Sequence, residues 1–222
     1  AGRGMLAAAK SVAFEIEKHA ENLSELEEPK YHNRLHFADA LTSMSVQLSI
    51  LVALKKEANQ DWMACALLTC IAHDFFHPGK VNLVESEIEK QSVNFLKPIL
   101  KSHSVPDEWR KIIDTVIVRS DFAVVHQNHA HVAGKAFEWN LKWLCVLLNE
   151  ADVMASASAK FGPELGESLA QEWRLIDFPL HSSVASLEGR KNFLKQLIFS
   201  SPSSLVLGLG ERISEEILSI NS

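Results

Sequence analysis

His73 and Asp74 are adjacent at the end of an apolar run, in IAHDFFHPGKVN (Ile71–Asn82), and His77, Pro78 and Gly79 follow at once. A carboxylate beside an imidazole in an apolar setting is costly unless its charge is paired or bound, and a metal ion would hold both groups ordered. A helix end with a polar cap would use the same residues. Upstream, YHNRLHFADA places His32 and His36 at i, i+4, which sets the two imidazoles about 40° apart on one helix face. One could bind metal while the other faces substrate. Downstream, LLNEADVMASA puts Asp152 within a strongly apolar helical segment, where an unpaired carboxylate would be expensive. Four ligand-type residues, His36, His73, Asp74 and Asp152, therefore come from three separate apolar helices.

The elements that must position them follow from the apolar periodicity, which predicts an all-α, compact multi-helix bundle over a single domain, residues 1–222. Ala1–Gly4, ahead of Met5, look like a remnant and are set aside. Helices are expected over about Leu6–Leu23, Arg34–Lys55, Trp62–Ile71, Ser86–Leu96, Asp107–Val118, Lys135–Ala157, Glu164–Leu175, Gly189–Phe199 and Leu205–Ile220. The polar stretches SELEEPK and KKEANQ separate the first three. Trp62–Ile71 is apolar on nearly every face, the mark of a central buried element, and it delivers His73 and Asp74 to the core. Arg34–Lys55 turns His36 inward. Pro78 and Gly79 end the central helix beside the candidate site.

Composition narrows the function classes. The chain has 222 residues, 47% of them hydrophobic, and a net charge of -6 with no basic stripe. Extended contact with a nucleic acid polymer or an anionic membrane is excluded on charge, so any phosphate specificity must be local. Cations could supply it. Three cysteines, Cys65, Cys70 and Cys145, lie in apolar segments without CxxC spacing and read as core thiols. No apolar run is read as a spanning helix or signal peptide, and a cytoplasmic protein is expected. Oligomeric state stays open.

The order of histidine, adjacent histidine and aspartate, then a distant aspartate resembles the HD superfamily of metal-dependent phosphohydrolases. Two stretches bring it closest to the catalytic domain of the cyclic-nucleotide phosphodiesterases. YHNRLHFADA is similar to that family's YHNxxHxxDV, and HDFFHPGKVNLV fits its run of HD, a second His, Gly and Asn. Fainter similarity continues at Glu89 and Ser92 in ESEIEKQS and at SDF, Ser120–Phe122. The resemblance spans about Tyr31 to Asp152.

It implies a phosphodiester hydrolase acting on a 3′,5′-cyclic nucleotide or similar small phosphodiester. His36, His73, Asp74 and Asp152 would hold one tight ion, zinc by the two-nitrogen, two-oxygen donor set, with iron or manganese also suited. Asp74 would bridge to a second, water-rich magnesium or manganese. A hydroxide between the ions would attack phosphorus, and His32 would give the leaving oxygen its proton. His77 either orients a metal-bound water or ligand carboxylate, or simply packs. Asn82, Glu89 and Asp121 are assigned supporting places near the metals by the resemblance alone.

The departures concern substrate recognition. The family clamps its purine with a QxxF pattern, and the nearest match is taken as RKNF, Arg190–Phe193, which keeps Phe193 but replaces the glutamine with an arginine that has no acceptor. The family's domain is about half as long again, and its Asn after the last aspartate is missing from ADVMAS. An HD-type nucleotide monoester phosphohydrolase and a non-catalytic metal- or nucleotide-binding sensor are the alternatives. His126, His129 and His131, in VVHQNHAHVAG, either complete a second metal site or lie in a solvated loop between helices.

Overall fold

Three asparagines start the three helices that matter most. The computed structural model of the chain describes residues 1–23, 28–54 and 58–220. Asn33 accepts hydrogen bonds from the backbone N–H groups of Leu35 and His36 and opens α2, Arg34–Ala53. Asn59 caps α3, Gln60–Ala72, through the Trp62 N–H, and Asn140 caps α7, Leu141–Ala157, through the Trp143 N–H. Each cap satisfies a donor that the helix leaves unpaired, worth about 1 kcal/mol. The remaining helices are α1 (Gly2–Glu21), α4 (Glu87–Ser102), α5 (Asp107–Val118), α6 (Val125–Val132), α8 (Gly162–Leu175), α9 (His181–Val184), α10 (Leu187–Gln196), α11 (Pro202–Val206) and α12 (Leu209–Ile220), with a 3-10 turn at Phe122–Val124. There is no strand among the described residues.

α3 is the central element, packed against α1, α2, α4, α5 and α7. Ala64, Cys65, Leu68, Cys70 and Ala72 are buried around it, with Met44, Leu48 and Leu51 from α2 and Leu144, Leu147 and Leu148 from α7. Such burial stabilises by about 1.5–3 kcal/mol per large side chain. All three cysteines are buried and free. A smaller apolar cluster, Ala157, Leu194 and Ile213 with Phe193, Leu197 and Phe199 around them, joins the end of α7 to α10 and α12.

Several boundaries differ from the expected ones. α1 starts at Gly2, and Gly4 packs so closely that a Cβ there would lie 2.8 Å from the His103 carbonyl. α4 runs through Pro98 to Ser102 because Leu96 and Leu100 on either side are fully buried, and this outweighs the lost hydrogen bond. Lys135–Asn140 are not helical: Gly134, at φ +70°, closes α6, and α7 begins only after its asparagine cap. Gly208, at φ +62°, breaks the final helix into α11 and α12. Residues 24–27 of SELEEPK and 55–57 of KKEANQ, including Lys55, lie outside the described residues.

By length and composition α2 could cross a membrane, contrary to the reading of the sequence. Its buried side carries Phe37, Ala40, Met44, Leu48 and Leu51 into the core together with His36.

Two buried charged groups fasten the C-terminal third to α7. The fully buried Glu150 carboxylate accepts from the N–H groups of Ser200 and Ser201, at 2.5 and 2.8 Å, and from the Ser204 hydroxyl, at 2.6 Å. Arg190 donates to the carbonyls of Ser156 and Ala157 at the end of α7 and to that of Ser158, which also accepts from the Gly162 N–H, and pairs with Glu216 at 2.9 Å. Asp152 sits on α7 between these two anchors.

Candidate metal centre

α2, the end of α3 and α7 bring His36, His73, Asp74 and Asp152 together. The His36 Nε2 atom lies 3.4 Å from His73 Nε2, 3.4 Å from Asp74 Oδ2 and 3.2 Å from Asp152 Oδ1. His73 Nε2 lies 3.2 Å from Asp74 Oδ2 and 3.3 Å from Asp152 Oδ1. Donor atoms around a four-coordinate ion with bonds of about 2.0–2.1 Å stand roughly 3.3–3.4 Å apart. The set has the spacing to hold a metal ion.

The hydrogen bonding around the set fits a cation as well. His73 Nδ1 lies 2.8 Å from the Cys70 carbonyl, an acceptor, so its proton is on Nδ1 and the lone pair on Nε2 points into the tetrad. Two imidazole nitrogens that face each other among carboxylates need a positive charge between them. Without an ion that charge must come from protons. Burial pushes the His36 imidazole down, but Asp152 and Asp74 outweigh it and lift it to about 9, and the same carboxylates hold His73 well above its usual value. Asp74 and Asp152 are held well below the carboxylate range in spite of burial, chiefly by His73.

A second group adjoins the first. His32 Nδ1 is 2.5 Å from Glu172 Oε1, while Glu172 Oε2 accepts from the N–H groups of Tyr31, at 2.8 Å, and His32, at 3.1 Å. His32 Nε2 lies 3.9 Å from Asp74 Oδ2. The His77 ring stacks on His32 with centroids 3.7 Å apart. Burial and the neighbouring His32 push His77 down to about 3, so it is neutral. Tyr31 bonds Ser156 at 2.9 Å, and burial with the Asp152 charge pushes its phenol up.

The residues assigned by resemblance form a network of their own. Asn82 donates to Glu89 at 2.9 Å and accepts from the Ile88 N–H at 2.8 Å, fixing the start of α4. Burial pushes the Glu89 carboxyl up, with the Asn82 amide partly offsetting it. Asp121 accepts from the N–H groups of Ser86, at 2.6 Å, and Ala123, at 2.9 Å. Asn82, Glu89 and Asp121 thus brace the chain between α3 and α4.

The histidine cluster is neither a loop nor a metal site among the described residues. His126, His129 and His131 sit on α6, where only His129 turns inward, to within 2.8 Å of the Ser200 hydroxyl, and the other two are exposed. His126 and His129, three residues apart, lie on neighbouring sides of the helix, but His131 points to the opposite side, so the three imidazoles do not converge. Arg190 is the clamp on the end of α7, and Phe193 belongs to the smaller apolar cluster and lines a cleft with Tyr31 and Ser156.

Two residues beside the site carry little signal in the sequence. Glu172 gives no sequence signal, since a glutamate on an amphipathic helix ordinarily faces water and its partner is 140 residues away. Tyr31 was read only as part of a motif. Gln196 is an exposed residue of α10 whose amide donates to the Asn192 carbonyl at 3.1 Å. Gln196 lines a cleft with Asp152, Val153, Phe122 and Leu197. His32 and His77 line another cleft, with Phe37 and Phe76.

No known protein-family profile matches the chain, and no curated protein is detectably similar to it.

Proposed function

We propose that this protein is a metal-dependent phosphodiester hydrolase for a small phosphodiester, a 3′,5′-cyclic nucleotide being the class that the sequence motifs favour. The observation that carries the reading is the adjacency of the two groups: a four-donor metal site and a histidine–carboxylate pair whose free Nε2 is 3.9 Å from the ligand Asp74. Zinc, iron or manganese suits the tetrad's donor set, and Asp74 would also help hold a more hydrated magnesium or manganese. When bound, the ions supply Lewis acidity, lowering the pKa of a water and neutralising charge on phosphoryl oxygens.

The protein's own residues do the rest. His36, His73, Asp74 and Asp152 hold the metal and, by anchoring it, fix where the phosphate sits. Glu172 engages Nδ1 of His32, so that the proton available for transfer is on Nε2, the nitrogen turned toward the tetrad. His32 gives that proton to the departing sugar oxygen. His77, neutral and stacked on His32, holds the ring in plane and keeps bulk water from its face. The side-chain amide of Gln196, which donates to the Asn192 carbonyl of its own helix, would turn from that bond to read the base from the cleft beside Asp152.

The test is hydrolysis of bis-p-nitrophenyl phosphate, p-nitrophenyl phosphate, cyclic AMP and cyclic GMP by metal-stripped protein reloaded with zinc, manganese, magnesium or iron. Turnover of the diesters and of a cyclic nucleotide is expected. Cleavage of the monoester alone would make the protein a nucleotide monoester phosphohydrolase. Tight metal with no turnover on any substrate would leave a binding or sensing role.

A further inference from the structure

We propose that His32, His77 and Glu172 form a separate site for a zinc-class divalent cation, and that occupying it takes the proton donor out of use. One donor atom from each residue lies within 4.8 Å of the other two, and none of the three belongs to the tetrad. They arrive from three places: the residue before the cap of α2, the turn after α3, and α8. Two imidazoles and one carboxylate make a donor set that zinc uses where it keeps an open position. Magnesium and calcium, which prefer oxygen ligands, suit it poorly.

The carboxylate is already oriented. Its Oε2 is held by two backbone N–H groups, which leaves Oε1 as the atom turned toward His32. Such outer support is what fixes a ligand for a metal. Gly79, at φ +66°, contributes from the other side, because a Cβ there would lie 3.3 Å from Glu172 Cγ; only a glycine lets this turn press against the glutamate. His77 Nδ1 accepts from the Gly79 N–H at 3.1 Å and its ring is stacked on His32, so binding an ion requires the His77 ring to turn out of the stack. The His32 Nδ1 to Glu172 Oε1 contact of 2.5 Å is bridged by a proton, and an ion would replace that proton and widen the contact to roughly 3.3 Å. The cleft lined by His32 and His77 gives the ion a way in.

Binding at this site rests on the proximity of the three donors and a turn of the His77 ring, while its inhibitory effect rests on the hydrolase reading above. The experiment titrates zinc into metal-free protein with magnesium in excess, reading imidazole ¹H–¹⁵N correlations and turnover of bis-p-nitrophenyl phosphate and cyclic AMP. The first equivalent should move the His36 and His73 signals and the second those of His32 and His77. His77→Phe, which keeps a stacked ring, and Glu172→Gln should each abolish the second event and keep the first. Turnover of cyclic AMP should rise with the first equivalent and fall about tenfold or more with the second, as expected when a proton donor worth 10²–10⁴-fold is engaged. A single binding event overturns the proposal, as does a second event that leaves the His32 and His77 signals unmoved. Two events without turnover at any stage would support the site and reject the hydrolase reading; one event with high turnover would do the opposite.

Discussion

The Nε2 atoms of His36 and His73 face each other 3.4 Å apart, and each also lies 3.2–3.4 Å from oxygens of both Asp74 and Asp152. A proton can bridge the two nitrogens, but the two carboxylates beside them still repel each other, and one cation resolves the conflict. Asp74→Ala should therefore lower affinity for the tight ion by more than the 10–100-fold typical of losing an outer partner, and should abolish turnover. Elemental analysis after dialysis checks it, and full metal retention would rule Asp74 out as a ligand.

The same conflict makes the metal-free protein sensitive to pH. His36 has a folded pKa of about 9 against about 6.5 in the unfolded chain. Its proton therefore stabilises the fold fully below pH 6.5, and this contribution fades as pH rises through 9. It is on the order of 3 kcal/mol by linkage. The depressed pKa values of Asp74 and Asp152 work at the other end, contributing above about pH 4 and losing their effect as pH falls. Melting of metal-free protein should drop between pH 6.5 and 9, while zinc-loaded protein, which has an ion in place of the proton, stays level.

His32→Ala should keep the tight ion and lose about 10²–10⁴-fold in kcat on cyclic nucleotides, whose leaving alkoxide needs a proton. On bis-p-nitrophenyl phosphate, whose phenolate leaves unaided, the loss should be far smaller. Glu172→Gln acts through His32 and should show the same dependence on leaving group, more weakly. Equal losses on both substrates would mean a structural role for the glutamate.

Gln196→Ala should raise KM for a cyclic nucleotide by up to about tenfold, the worth of one or two modest hydrogen bonds, and leave bis-p-nitrophenyl phosphate unaffected. An unchanged KM for every nucleotide would remove Gln196 from recognition.

Arg190→Met leaves the Glu216 carboxylate, only 12% exposed, without its partner and uncaps the end of α7. A loss of about 3–5 kcal/mol is expected. Removing both charges, in Arg190→Met with Glu216→Met, should recover part of that stability, which urea denaturation would show.

Much of this was written along the chain. Apolar periodicity laid down the helices, because a 3.6-residue repeat needs no distant partner to be read, and His36, His73, Asp74 and Asp152 stood out as ligand types in helices otherwise too apolar to tolerate them. The boundaries were less legible, since Gly134 and Gly208 break helices by backbone conformation and Pro98 fails to break one for reasons of burial. Tertiary structure alone decided the partnerships. Glu172 meets His32 across 140 residues, Arg190 is a helix clamp where a base reader was expected, and of the α6 histidines only His129 turns inward. Local sequence sets which faces a helix offers; only packing decides what each face meets.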